Sequence, residues 1–146
     1  MTPQILQSRD LPDTILPGTT VLYPTETVYG LGCRFDDSEA LKHIYRLKGR
    51  AAGVPVALIC DTKAWVKAHF KVPRHAEKLM DAYWPGPLAM LLRPKKPGQF
   101  RSVVYQDHVG IRVSGLELAR ALARASGGAF VSTSANLSGE ETPLHW

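Results

Sequence analysis

Apolar and polar positions along this chain fall into short blocks whose period changes from one block to the next. After a Pro-Gly-Thr turn, residues 20–23 (TVLY) read as a strand, and residues 24–32 (PTETVYGLG) as the loop that follows. FDDSE opens a helix, with Asp37 or Ser38 as its cap and acidic residues at the positive end of the dipole. Leu41, Ile44, Tyr45 and Lys48 continue it at helical spacing, and Gly49 terminates it. The unbroken apolar run at residues 54–60 predicts a buried strand. Residues 62–70 and 73–83 carry the one-sided spacing of two amphipathic helices, the second with Pro73 near its first turn. WPGP ends that helix, residues 88–93 form a strand, and PKKPGQFR is a basic loop. Short strands at 103–105 and 109–113, a helix at 116–125 stopped by Gly127-Gly128, and a strand at 129–133 complete the order. Two of these strands follow each other directly. The pattern therefore predicts an α/β chain of α+β type, a single domain with a mixed sheet flanked by helices.

Composition narrows the class. A chain of 146 residues is about one domain with room for a core. Hydrophobic residues at 45% and charged residues at 21% are the proportions of a soluble protein. No run of eighteen apolar residues could span a membrane, and the N-terminal stretch lacks a secretory pattern, so a cytoplasmic location is expected. Cys33 and Cys60 stand apart without a CxxC or a nearby ligand cluster, which predicts free thiols and no metal site. The net charge of +5 suits an anionic partner such as a nucleotide or RNA.

Four stretches carry candidate chemistry. In YPTETVYGLG, Thr25 and Thr27 supply hydroxyls, while Gly30 and Gly32 allow positive φ and close approach of a ligand to the backbone. A plain turn capped by a threonine is the competing reading. Lys48 and Arg50 lie two apart across Gly49; such a pair clamps a triphosphate, or merely complements a helix C-terminus. Arg112 sits mid-strand in VGIRV, on the face opposite Ile111 and Val113, either exposed or aimed into a polar pocket that would suit a carboxylate or phosphate. Ser132, Thr133, Ser134 and Asn136 follow an apolar strand, where α/β proteins bind ligands and where hydroxyls and amides hold phosphate oxygens. A Walker loop, a GxSxG elbow and a Ser-His-Asp set are all missing, so the chemistry is one of positioning, without a catalytic nucleophile.

In this order, YPTETVYGLG, the K-x-R of Lys48-Gly49-Arg50, WPGPL, VGIRV and STSANLSG resemble the Sua5/YrdC/YciO family over about residues 15–143. The resemblance implies a YrdC-like domain over residues 1–146 with a twisted mixed sheet and a basic concave face. It implies a threonylcarbamoyl-AMP synthase, a nucleotidyltransferase joining L-threonine, bicarbonate and ATP with Mg²⁺ for the t6A modification of tRNA, and handing its product to a tRNA threonylcarbamoyl transferase complex. Lys48, Arg50, Ser134, Asn136 and Thr142 would then meet ATP, and Thr25, Arg112 and Ser132 would meet L-threonine. The sequence departs from the pattern at Ala51, where proline is usual, and at His108, where a small hydroxyl residue is common. Family members continue through a further S-T-[IV] segment and a basic residue, so the domain is expected to be C-terminally short. The alternatives are a double-stranded RNA or tRNA binder using Lys95, Lys96 and Arg101, and a nucleotide-binding member without turnover. Related carbamoyl-adenylate chemistry in hydrogenase maturation ranks lower, because its proteins carry further domains.

Overall fold

The computed structural model describes residues 8–26 and 28–141. Seven strands form one mixed sheet: β1 (Thr20–Tyr23), β2 (Gly30–Cys33), β3 (Ala57–Cys60), β4 (Phe70–Lys71), β5 (Met90–Pro94), β6 (Val109–Arg112) and β7 (Ala129–Ser134). Their spatial order is β1-β2-β7-β3-β6-β5-β4, with β3 and β6 parallel and the other pairs antiparallel. Helices α1 (Ser38–Leu47), α2 (Lys63–His69) and α3 (Arg74–Tyr83) bury one face of the sheet, and α4 (Glu117–Ala125) covers part of the other.

Local chemistry explains the element ends. Asp37 caps α1 by accepting from the Ala40 N–H at 3.0 Å, and Thr62 caps α2 by accepting from the Trp65 N–H at 3.0 Å. At the other end of α1, Gly49 adopts φ +58. Its N–H donates to the Arg46 carbonyl and the Arg50 N–H to the Tyr45 carbonyl, the paired closure of a Schellman motif. Gly49 is thus the terminator its position predicts, and it turns Lys48 and Arg50 in different directions.

Apolar alternation sorts the two cores. Leu41, Ile44, Val66, Met80, Leu58, Ile111 and Val131 belong to the larger. Ile59, Phe130 and Tyr23 pack with Ala119, Leu122 and Ala123 of α4 in the smaller. None of the helices among the described residues is long and apolar enough to cross a membrane.

Three expectations are corrected. Residues 24–32 are not all loop, because Gly30–Cys33 form β2, paired antiparallel with β1. Residues 103–105 are not a strand. The Val103 and Val104 N–H groups both turn back to the Phe100 carbonyl, and only an isolated bridge joins Tyr105 to His108. The mixed sheet therefore stands, but its antiparallel pairs come from elsewhere. Finally, Phe70 and Lys71 leave α2 to form the edge strand β4.

Candidate functional site

The site lies where α4 stops covering its face of the sheet. On β3, Ile59 pairs with Arg112 of β6 on one side and Phe130 of β7 on the other; one step along, Ala57 pairs with Gly110 and Ser132. Ile59 and Phe130 lie under α4. The next row is open and floors a cavity of about 250 Å³. Thr25, Val28 and Tyr29 from the loop after β1, Arg112, and Ser132 to Ser134 line that cavity. Two strand spacings and one two-residue step put the Arg112 and Ser132 backbones roughly 12 Å apart, a span suited to a small ligand between them.

The Arg112 guanidinium lies with Nη1 3.3 Å from Glu26 Oε1, its one ion pair among the described residues. Both side chains are largely withdrawn from solvent, at 16% and 23% exposed. Glu26 Oε2 accepts from the Ser114 hydroxyl at 2.7 Å, and Ser114 Oγ in turn accepts from the Leu116 N–H at the start of α4. Burial works against ionisation of Glu26. Backbone hydrogen bonding, the Ser114 hydroxyl and the Arg112 charge outweigh it and hold the carboxyl below its ordinary value. Among the described residues this one ion pair leaves guanidinium donors for a planar anion.

Opposite it, the Tyr23 hydroxyl donates to Ser132 Oγ at 2.7 Å. Tyr23 is buried, and desolvation pushes its phenol up to about 12, so it remains a donor at any working pH. Ser132 accepts that bond, and among the described residues its own O–H meets no acceptor. The Thr25 hydroxyl donates to the Val28 carbonyl at 2.5 Å and accepts from the Val28 N–H, closing a turn at the cavity wall.

The loop after β7 is built around Lys48. This lysine is 4% exposed, and its ammonium donates to the Ser134 carbonyl, the Asn136 carbonyl at 2.8 Å and Asn136 Oδ1 at 3.2 Å. Ser134 Oγ also donates to Asn136 Oδ1, and the Ala135 N–H reaches the Tyr29 carbonyl. Desolvation, then the nearby Arg50 charge, depresses the Lys48 ammonium below its ordinary value. Arg50, on the other side of Gly49, is partly exposed, and its Nη2 donates to the Pro55 carbonyl at 3.1 Å.

The structure thus brings Thr25, Arg112, Ser132 and Ser134 to one cavity and joins Lys48 and Asn136 to its rim. Thr27 and Thr142 lie outside the described residues. Gly30 and Gly32 do not have positive φ. A Cβ on Gly30 would lie 2.8 Å from the Tyr23 ring, and one on Gly32 would lie 2.0 Å from the Val131 carbonyl oxygen, so packing requires these glycines. Glu26, Ser114 and Tyr23 carry no role in the sequence reading. Only Glu26 had a signal, as the acidic member of the PTET loop. In the basic loop, Lys95, Lys96 and Arg101 are all exposed, and Lys95 Nζ donates to the Lys67 carbonyl at 2.6 Å.

Comparisons with known proteins bear on the family and the fold. The Sua5/YciO/YrdC family model, described as telomere recombination, matches residues 13–146. Threonylcarbamoyl-AMP synthase of Bacillus subtilis is 38% identical over 144 residues, covering 97% of this chain and 40% of that protein. The Methylococcus capsulatus protein of the same name is 41% identical, covering 84% of this chain and 66% of that one. Sua5 of Pyrococcus abyssi, solved in complex with L-threonine, superposes with a TM-score of 0.75 at 35% identity, covering 86% of this chain and 37% of that one. The chain accordingly spans about two fifths of the length of the Bacillus and Pyrococcus relatives. By the extent of the match and by its fold, the chain belongs to the Sua5/YciO/YrdC family.

Proposed function

We propose that this chain carries the substrate site of an L-threonylcarbamoyladenylate synthase, a nucleotidyltransferase acting in tRNA t6A formation. The observation that carries the reading is Arg112: a withdrawn guanidinium, ion-paired among the described residues with Glu26 at 3.3 Å, on the wall of a small, largely apolar cavity. A small α-amino acid placed there sets its carboxylate on Arg112, with the Ser132 hydroxyl and the Thr25 turn on the facing wall. A relative of this fold was solved in complex with L-threonine.

The chemistry asks for positioning more than for a protein nucleophile. The amine of L-threonine takes up carbon dioxide from bicarbonate as a carbamate. A carbamate oxygen then attacks the α-phosphorus of ATP, the α–β bridging bond breaks, and pyrophosphate leaves. Arg50, Ser134 and Asn136 meet the triphosphate at the outer rim, where Lys48 orders the loop. Mg²⁺ would neutralise phosphate charge.

The test is to incubate the chain with ATP, Mg²⁺, L-threonine and labelled bicarbonate and to separate the products. A labelled adenylate that requires threonine is the expected result; its absence, with neither substrate bound in titration, removes the reading. Salt-dependent tRNA binding that survives Lys48→Ala and Arg112→Ala would favour the RNA-binding alternative through Lys95, Lys96 and Arg101.

A further inference from the structure

The end of β6, just beyond Arg112, is fastened from two directions. From the WPGPL turn, the Gly86 N–H donates to the Val113 carbonyl at 2.8 Å, and the buried Trp84 closes that turn by donating from Nε1 to the Leu88 carbonyl at 2.6 Å. From α4, Arg120 Nη1 donates to the carbonyl of the buried Ser114 at 2.5 Å. Residues 112–115 are therefore a fixed wall of the cavity. The loop after β1 supplies the facing wall through Thr25 and Val28, and the Glu26 side chain crosses from that loop to the fixed one. Its carboxylate accepts from the Ser114 hydroxyl at 2.7 Å and from the Gly115 N–H, and it pairs with Arg112 at 3.3 Å. Thr25 and Arg112 line the cavity, whereas Glu26 lies behind them and does not.

We propose that Glu26 is a positioning residue of the amino-acid site: its carboxylate clasps the loop carrying Thr25 to the end of β6 and holds the Arg112 guanidinium ready for a ligand carboxylate. The proposal rests on the amino-acid reading above for what the cavity takes, and on the contacts of Glu26 for what Glu26 does. A carboxylate has lone pairs enough for three donors, and here they come from residues 112, 114 and 115 of one short segment. An arginine already ordered by such a partner has less rotamer freedom to lose on binding. The Glu26 charge also opposes a bound carboxylate, so deleting it has two effects of opposite sign. Both side chains of the pair keep some solvent exposure, which screens the repulsion. Loss of order in two walls at once is the larger effect, and the net result is weaker binding.

Glu26→Ala and Glu26→Gln test this, the second because its amide oxygen still accepts from a hydroxyl or an N–H. Amide hydrogen exchange without ligand reads the clasp. In Glu26→Ala, exchange at Gly115 and at Val28, whose N–H donates to Thr25 Oγ1, should rise about tenfold or more, while Leu58 and Ile111 in the sheet stay protected. Glu26→Gln should keep both amides within about threefold of the parent. Calorimetric titration reads the consequence. Glu26→Ala should weaken L-threonine about tenfold, and by the same factor the analogue with a hydroxyl in place of the amine, while ATP changes less than about threefold.

Unchanged exchange at Val28 and Gly115 in Glu26→Ala overturns the proposal, and so does equally raised exchange in the two variants. Unchanged or tighter L-threonine binding in Glu26→Ala also overturns it, since Glu26 would then be an opposing charge alone. A loss confined to L-threonine and absent for its hydroxyl analogue would place the carboxylate on the substrate amine, which contradicts a role exerted through Arg112 and the loop. If the unmodified chain binds no L-threonine, the amino-acid reading fails, and exchange alone decides whether Glu26 holds the loop.

Discussion

Replacing Arg112 by alanine removes the cation that the account places under the substrate carboxylate. Hydrogen bonds to charged groups contribute about 1.5–3 kcal/mol, and each 1.4 kcal/mol is tenfold in affinity. Glu26 already lies 3.3 Å from the guanidinium and satisfies part of its charge, which argues for the lower half of that range. The expected loss of L-threonine affinity is therefore about 30-fold. The fold should survive. Stranding a fully buried charge costs about 3–5 kcal/mol, but the Glu26 side chain is 23% exposed and keeps its Ser114 hydrogen bond, so about 1–2 kcal/mol is expected. ATP affinity should change less than about threefold, because Arg50 and Asn136 come from other elements and make no hydrogen bond to Arg112. Calorimetric titration of both ligands, with a thermal melt as the folding control, reads all three quantities. Equal losses for both ligands, or an unchanged threonine affinity in a folded variant, would refute the reasoning.

Three further outcomes follow from the same structure. Gly32→Ala forces a Cβ to 2.0 Å from the Val131 carbonyl oxygen and 2.3 Å from the Phe130 ring, so it should cost about 3 kcal/mol and lower Tm by about 10 °C. Gly98→Ala meets nothing within 4 Å and should melt like the parent; equal Tm values for the two variants would contradict the packing account. Acid should destabilise the fold in a definable window. Glu26 and Asp37 have depressed carboxyls: burial of each is outweighed by backbone hydrogen bonding, with Ser114 and Arg112 adding at Glu26 and the Arg34 charge at Asp37. Their contribution is complete above the ordinary values of 4.5 and 3.8 and is lost as pH falls through the lower folded-state values. Asp37→Asn keeps a cap acceptor and should flatten the decline of Tm below pH 3.8; an unchanged acid limb would exclude Asp37 from it. Tyr23→Phe removes the donor to Ser132, costs about 1 kcal/mol, and should weaken L-threonine more than ATP, as titration of both would show.

The helices were the most legible part of this chain, because their signals are local. Asp37, Thr62 and Gly49 act at helix ends within four residues of their partners. The strand β2 was hidden because its two glycines mimic a turn, and the reason for them lies elsewhere: the Tyr23 ring over Gly30 and the Phe130 ring and Val131 carbonyl over Gly32. Residues 103–105 show the opposite failure, since valines and a tyrosine favour a strand while the Phe100 carbonyl captures two of the amides a ladder would need. At the site, Arg112, Ser132 and Ser134 stood out as polar groups in apolar strands, and the sheet register brings them to one cavity. The partnerships that shape the site span the chain: Glu26 with Ser114, Tyr23 with Ser132, Lys48 with Asn136. No spacing rule reaches across 88 or 109 residues. Sequence proximity also does not show that, on either side of Gly49 at φ +58, Lys48 is buried while Arg50 is partly exposed.

The claim at the centre of the account is that Arg112 receives the carboxylate of a threonine-like amino acid. Titrating the unmodified chain with L-threonine and, separately, with L-threoninol, which has a hydroxymethyl group in place of that carboxylate, addresses it without any substitution. The account predicts that L-threonine binds and that L-threoninol binds at least about tenfold more weakly. Equal affinities would contradict it, because Arg112 would then contribute nothing to recognition.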